Sequence, residues 1–145
     1  MIMVRAPVTP APIIRGFEPY ILEMQVVGNE LRATYDKSQA GELVSAVMSY
    51  KVTASAGYTP VIEVLRNDQP IYHTHDTRTG SAGSTYSMVW VTKASSSIMT
   101  TAYNFGRLGD GILLLPNDVI RIRSLNNASY FVPQWGRAII KLYYV

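Results

Sequence analysis

From Phe17 onward, apolar and polar residues alternate with a period of two, and no window sustains a helical period of 3.6 beyond about two turns. Tyr20, Leu22, Met24 and Val26 share one face while Glu23 and Gln25 take the other, and the run stops at Gly28-Asn29, which is turn chemistry. A shorter run follows at Leu31 to Tyr35. Gly41 then opens the longest alternation, with Val44, Ala46, Met48, Tyr50 and Val52 expected inward and Ser45, Ser49, Lys51 and Thr53 outward. Val61 to Arg66 places Ile62 and Val64 inside. The stretch Asn67-Asp68-Gln69-Pro70 turns it into Ile71 to His75, so a hairpin is expected there.

Asp76 to Ser84 is rich in Gly, Ser and Thr and predicts an exposed loop. Beyond it Tyr86, Met88 and Trp90 alternate with Ser87, Val89 and Val91, a strand apolar on most of both faces and therefore central or interfacial. After the small-residue break Ala94 to Ser97 comes a β-prone run from Ile98 to Phe105. Gly106, Gly109, Asp110 and Gly111 then predict a tight connection to Ile112 to Leu115, a short strand expected to be buried on both sides. Pro116-Asn117-Asp118 is a turn. In Val119 to Leu125, Ile120 and Ile122 face inward and Arg121 and Arg123 outward, and the last run, Arg137 to Val145, sets Ala138, Ile140, Leu142 and Tyr144 against Arg137, Lys141 and Tyr143. The sum is an all-β chain of about eight to ten strands at the spacing of sandwiches and barrels.

Residues 1 to 16 differ in character. Pro7, Pro10 and Pro12 each fix φ and lack an N–H, which favours an extended path over a helix or a central strand. The expected organisation is thus an extended arm, 1–16, followed by a β-sandwich domain, 17–145. Arg5, Pro7, Pro10, Pro12, Ile13, Ile14, Arg15 and Phe17 are the arm's candidate partner-binding residues, with the aliphatic and aromatic side chains as anchors for a neighbouring protein.

Composition narrows the function. The chain of 145 residues is 48% hydrophobic and only 16% charged, which leaves few charges for its surface and implies that some apolar surface meets another protein. Ten tyrosines against three phenylalanines agree, because a tyrosine ring supplies contact area while its hydroxyl tolerates water at a rim. Trp90 and Tyr143 are the candidate residues of an oligomer interface. The net charge of +3 comes from scattered lysines and arginines rather than a stripe, so nucleic-acid binding is not indicated. With no cysteine, disulfides and thiolate metal sites are excluded. No run reaches the ~20 apolar residues of a membrane helix, and the prolines and Arg5 interrupt any signal-peptide core.

Candidate chemistry is sparse. His73 and His75 fall on one face of a strand and could approach one ion, but a site needs a third ligand and the chain has no other histidine. Gly80-Ser81-Ala82-Gly83-Ser84 does not match a nucleophile elbow. Gly106 to Gly111 lacks the Gly-Lys-Ser/Thr ending and following helix of a phosphate loop. The expectation is no catalytic residues, no metal and no cofactor.

The segment Ile112-Leu113-Leu114-Leu115-Pro116-Asn117-Asp118-Val119-Ile120-Arg121-Ile122-Arg123 resembles the late strands of small jelly-roll domains, among them the head decoration proteins of tailed bacteriophages. The resemblance implies a jelly-roll-like antiparallel β-sandwich that assembles as a homo-oligomer, a trimer being favoured, and attaches to a viral shell protein. It implies a virion-surface location after assembly in the host cytoplasm. A second class stays open, a receptor- or glycan-binding module of a phage tail or fibre; such a head more often displays clustered aromatics in loops, and here only Tyr130 and Trp135 fall in an expected loop.

Overall fold

The structure, a computed structural model, describes residues 18–75, 77–92, 105–108 and 111–142. The arm expected at 1–16, together with Phe17 and Tyr143, lies outside the described residues. Among the described residues twelve strands follow one another: β1 (Glu18–Val27), β2 (Glu30–Thr34), β3 (Gly41–Val52), β4 (Ala56–Tyr58), β5 (Pro60–Arg66), β6 (Gln69–His75), β7 (Arg78–Gly80), β8 (Thr85–Val91), β9 (Phe105–Arg107), β10 (Ile112–Leu114), β11 (Val119–Ser124) and β12 (Phe131–Leu142). A 3-10 turn at Ala128–Tyr130 precedes β12.

The pairing order is β6-β5-β11-β2-β1-β12-β3-β8-β9, with β10 added to the start of β3 and a separate ribbon of β4 and β7. β1 is the fold line. Glu18 to Met24 pair with β12, whereas Gln25 to Val27 pair with β2. The strand therefore leaves one sheet for the other, and two four-stranded sheets result, β1-β12-β3-β8 and β2-β11-β5-β6. Renumbered in chain order, the eight principal strands run 1-8-3-6 in one sheet and 2-7-4-5 in the other, the strand order of a jelly roll. Every pairing is antiparallel except β8 with β9.

The inner faces meet in one core. Leu22, Met24, Leu43, Ala46, Met48, Tyr50, Met88, Trp90, Ala138 and Ile140 from the first sheet pack against Leu31, Ile62, Val64, Ile120 and Ile122 from the second. Trp90 is 0% exposed, and its Nε1–H is the one buried side-chain polar atom among the described residues that lacks a partner. An unpaired buried donor costs about 1–3 kcal/mol, which the burial of a whole indole offsets. At one end of the core Tyr50 stacks on Tyr86, meets Tyr58 edge-on and touches Phe131, and the Tyr50 and Tyr58 hydroxyls share a hydrogen bond of 2.6 Å.

Three turns obey local chemistry. Gly28 alone has positive φ in the β1–β2 connection, as the first position of a II′ turn requires, and Asn67 and Asp68 both have positive φ, the signature of a I′ hairpin. Asn117, at φ 75, forms the third with Asp118. Asp118 accepts the Leu115 N–H and two hydrogen bonds from the Arg66 guanidinium, at 2.8, 2.9 and 2.8 Å, while its carbonyl accepts the Tyr35 N–H. One side chain thus ties the β10–β11 turn to the end of β5, and its backbone ties the same turn to the chain leaving β2.

Several expectations from the sequence are corrected. In β3 the inward residue is Leu43 rather than Val44, because the pairing with β12 jumps from Ser45–Ile139 to Leu43–Ile140 and leaves Val44 as the extra residue of a bulge. Strand β12 begins at Phe131, six residues before the expected Arg137, and carries its own bulge at Gln134. Trp135 consequently sits in a strand and not in a loop. β10 is buried on one side only, since Leu113 is 57% exposed. The loop expected over Asp76 to Ser84 contains β7, which pairs with β4. Of the run Ile98 to Phe105 only Phe105 lies within the described residues.

Burial alone would raise the Asp118 carboxyl, but hydrogen bonds from Arg66 and the Leu115 N–H hold it below the usual carboxylate range. A folded-state value below the unfolded one, near ~3.9, contributes stability that is complete above the unfolded value and is lost as pH falls through the folded one. Asp118→Asn should therefore cost about 2 kcal/mol at neutral pH, because one amide oxygen cannot accept both Arg66 hydrogen bonds as well as that of the Leu115 N–H, and the ion pair is lost. The variant should also lose less stability than the parent between pH 5 and pH 2, on the order of 1 kcal/mol less. Urea melts at a series of pH values check both expectations.

Candidate functional site

The two outer faces of the sandwich differ in chemistry. On the β1-β12-β3-β8 sheet, registers across the strands line up Ile21, Ile139, Ser45 and Val91 in one rung and Glu23, Arg137, Val47 and Val89 in the next. Trp135 follows opposite Ser49 and Ser87, and Val132 opposite Lys51. Ile21 is 57% exposed, Trp135 44% and Val132 36%, while Val47, Val89 and Ile139 are half-buried.

The position of Trp135 is set by the bulge. Phe131 and Pro133 point into the core, so an uninterrupted strand would send residue 135 inward as well. The extra residue Gln134 resets the phase, turns Trp135 outward and brings Gly136 inward, where a Cβ would stand 2.7 Å from Leu31 Cδ1. Bulges commonly re-aim a side chain in this way. Gln134 is itself held, its Oε1 accepting from Ser49 Oγ at 3.1 Å. Beside the indole, the Arg137 guanidinium lies 5.4 Å from the ring centroid and donates through Nε to Glu23 at 2.7 Å. The indole, the guanidinium and the carboxylate form a chain of contacts across β12 and β1, so the tryptophan is presented in a supported orientation.

The outer face of β2-β11-β5-β6 is ionic. Arg32, Arg121, Glu63 and His73 occupy one rung, and Arg123, Val61 and His75 the next. Glu63 is buried beneath Arg121 and Arg123, whose Nε atoms donate to it at 2.9 and 2.8 Å, and Arg32 pairs with Glu30. Burial alone would raise the Glu63 carboxyl, but hydrogen bonds from Arg123 and Arg121, with their charges, hold it below the usual carboxylate range. His73 and His75 share the exposed face, as the alternation implies, and their rings stack at 5.9 Å between centroids. Among the described residues no three His, Cys, Asp or Glu side chains gather as metal ligands would.

The residues singled out from the sequence fare unevenly. Trp90 cannot serve at an interface: it is wholly enclosed by the domain's own core, because it lies on the inward phase of β8 with Met88 and Tyr86. Tyr143 and all eight arm residues, Arg5, Pro7, Pro10, Pro12, Ile13, Ile14, Arg15 and Phe17, lie outside the described residues. The residues that sequence reasoning passed over are Ile21, Val47, Val89, Val132 and Ile139, while Trp135, expected in a loop, joins them on this face. Their signal was present as apolar residues on strand phases otherwise reserved for polar ones, such as Ile21 beside Glu23 and Gln25.

The fold and the face together define the class, a jelly-roll β-sandwich with one ionic and one apolar outer surface. No protein-family model matches the chain, and comparisons with characterised proteins and with solved structures give no match.

Removing the carboxylate that Arg121 and Arg123 share should be costly. Glu63→Gln leaves two neighbouring guanidinium groups without their counter-charge, and a loss of about 2–4 kcal/mol is expected. Glu63→Gln combined with Arg121→Gln should recover part of that loss, which denaturant melts of the single and double variants measure directly.

Proposed function

We propose that this chain is a structural protein of a virion, which decorates or cements a phage capsid through an oligomeric β-domain and its N-terminal segment. The observation that carries the reading is the apolar outer face around Trp135 on a sandwich whose core is already complete. An enzyme would spend its exposed aromatic groups around a concave, polar-lined pocket. Here they lie on a sheet face, with aliphatic neighbours and one internally satisfied ion pair, the composition of a protein contact.

The jelly-roll strand order supports the same reading, since shell and decoration proteins use this architecture; it is an analogy of fold, and the contact face supplies the independent argument. Within this proposal the β-domain forms a closed homo-oligomer, a trimer being the form the family resemblance favours. Residues 1–16 reach a neighbouring shell subunit through Ile13, Ile14 and Phe17.

A glycan-binding module of a tail or fibre is the second reading, and the exposed indole of Trp135 is what favours it. It ranks below the first because Arg137 already lies beside the indole.

Deletion of residues 2–15 should leave the melting temperature of the β-domain within about 2 °C of the parent, because the core is assembled from strands that begin at Glu18. The same deletion should weaken attachment to shell particles 10-fold or more, about 1.4 kcal/mol. Co-sedimentation with particles beside a thermal melt reads both quantities, and unchanged attachment would remove the arm from the proposal.

A further inference from the structure

We infer that the outer face of the β1-β12-β3-β8 sheet, which carries Trp135, is the surface by which one copy of this chain binds a second copy. The inference rests on the proposed role as an assembling shell protein, but it concerns self-association alone and can fail separately. Three observations lead to it.

The first is extent. β3 and β12 have twelve residues each, and β8 and the part of β1 that pairs with β12 have seven each. At ~3.3 Å per residue and ~4.8 Å between strands, the face covers on the order of 600 Å², a large part of the roughly 800 Å² per partner of a standard protein interface.

The second is charge. Along this face Glu23 and Glu42 lie among Lys51, Arg137 and Lys141, so the surface carries both signs and can meet a surface of a second copy without net like-charge repulsion. Glu23 and Arg137 already satisfy each other, which means that a partner need not supply a counter-charge when the pair is covered. The opposite outer face is less suited to itself. It carries Arg32, Arg121 and Arg123 against Glu30 and Glu63, and Glu63 is spent on two of those arginines.

The third is the anchor. Tryptophan and arginine are the residue types that most often dominate binding energy at the centre of an interface, and here the bulge at Gln134 turns one indole outward beside an arginine that is held in place. β12 lies between β1 and β3 from Gly136 onward, and the apolar side chains continue along the face in that direction, Val47 and Val89 beside Arg137 and then Ile139 with Ile21, while Ser49 and Ser87 share the indole's own rung. An apolar band with polar side chains at its margins is the make-up of a protein contact.

The chain has two tryptophans, and they report on different places. Trp90 is sealed in the core, so quenching of fluorescence by acrylamide reads chiefly Trp135. Full-length protein should sediment as an oligomer at 50 µM and dissociate on dilution, and quenching of Trp135 should rise at least 2-fold over the same dilution series. Trp135→Ala and Ile21→Glu should each raise the dissociation constant 10-fold or more while their thermal melts stay close to the parent's. His73→Ala, on the opposite face, should leave association unchanged.

A monomer at every concentration with Trp135 freely quenched would overturn the inference. So would a monomer with Trp135 shielded throughout, which would mean that another part of the same chain covers the face. An oligomer indifferent to both Trp135→Ala and Ile21→Glu would place the contact elsewhere. None of these results bears on particle attachment, which the arm deletion tests.

Discussion

The structure depends on strand phase. A strand presents alternate residues to alternate faces, so a twelve-residue strand between two layers must keep its apolar set on one side throughout or lose its place in the core. Neither β3 nor β12 manages this by sequence alternation alone. Each contains one extra residue, Val44 in β3 and Gln134 in β12, and each bulge resets the phase where the apolar pattern slips. With both resets, Leu43, Ala46 and Met48 stand over Ile140, Ala138 and Gly136 on the same inner face, and the two longest strands of the sheet pair along nearly their whole length. β1 depends on this pairing, since its first half is held only by β12 before it bends away to β2.

The same reset has a consequence on the outside. A bulge that returns Gly136 to the core must send Trp135 away from it, so core packing and the exposed indole are two results of one inserted residue. Close packing leaves little freedom here, because a side chain at 136 would strike Leu31. The aromatic surface is thus coupled to the stability of the domain, and a sequence could not relinquish one without repacking the other.

The two outer faces also divide the work of holding and contacting. Glu63 with Arg121 and Arg123 binds β5 to β11 laterally, and Asp118 with Arg66 secures the turn that feeds β11 and the end of β5. Both carboxylates are largely enclosed while their arginines stay partly in water, a geometry in which a lone carboxylate would be costly and a paired one is tolerated. Tyr72, donating to the Leu108 carbonyl at 2.9 Å, bridges the free edge of that sheet to the segment after β9. At the edge strand β6, Pro70 and the bulge at Ile71 discourage further strand pairing. Pairing of further strands along that edge is therefore disfavoured.

By itself the sequence determined the β class, the hairpin at Asn67-Asp68, the turn at Gly28 and the inward set Ile62, Val64, Ile120 and Ile122. These follow from period-two alternation and from residues whose backbone preferences act within a few positions. It also marked the late strand pair around Pro116 to Asp118, because a turn closed by an aspartate is local chemistry. What it could not determine was the phase of β3 and β12, the fate of Trp90 or the outward turn of Trp135. Each of those depends on which strand lies alongside: a bulge exists only relative to a partner, and Trp90 is a core residue only because the second sheet covers its side of β8. Local patterning says that a residue has an inside and an outside; the packing of one sheet on the other decides which is which.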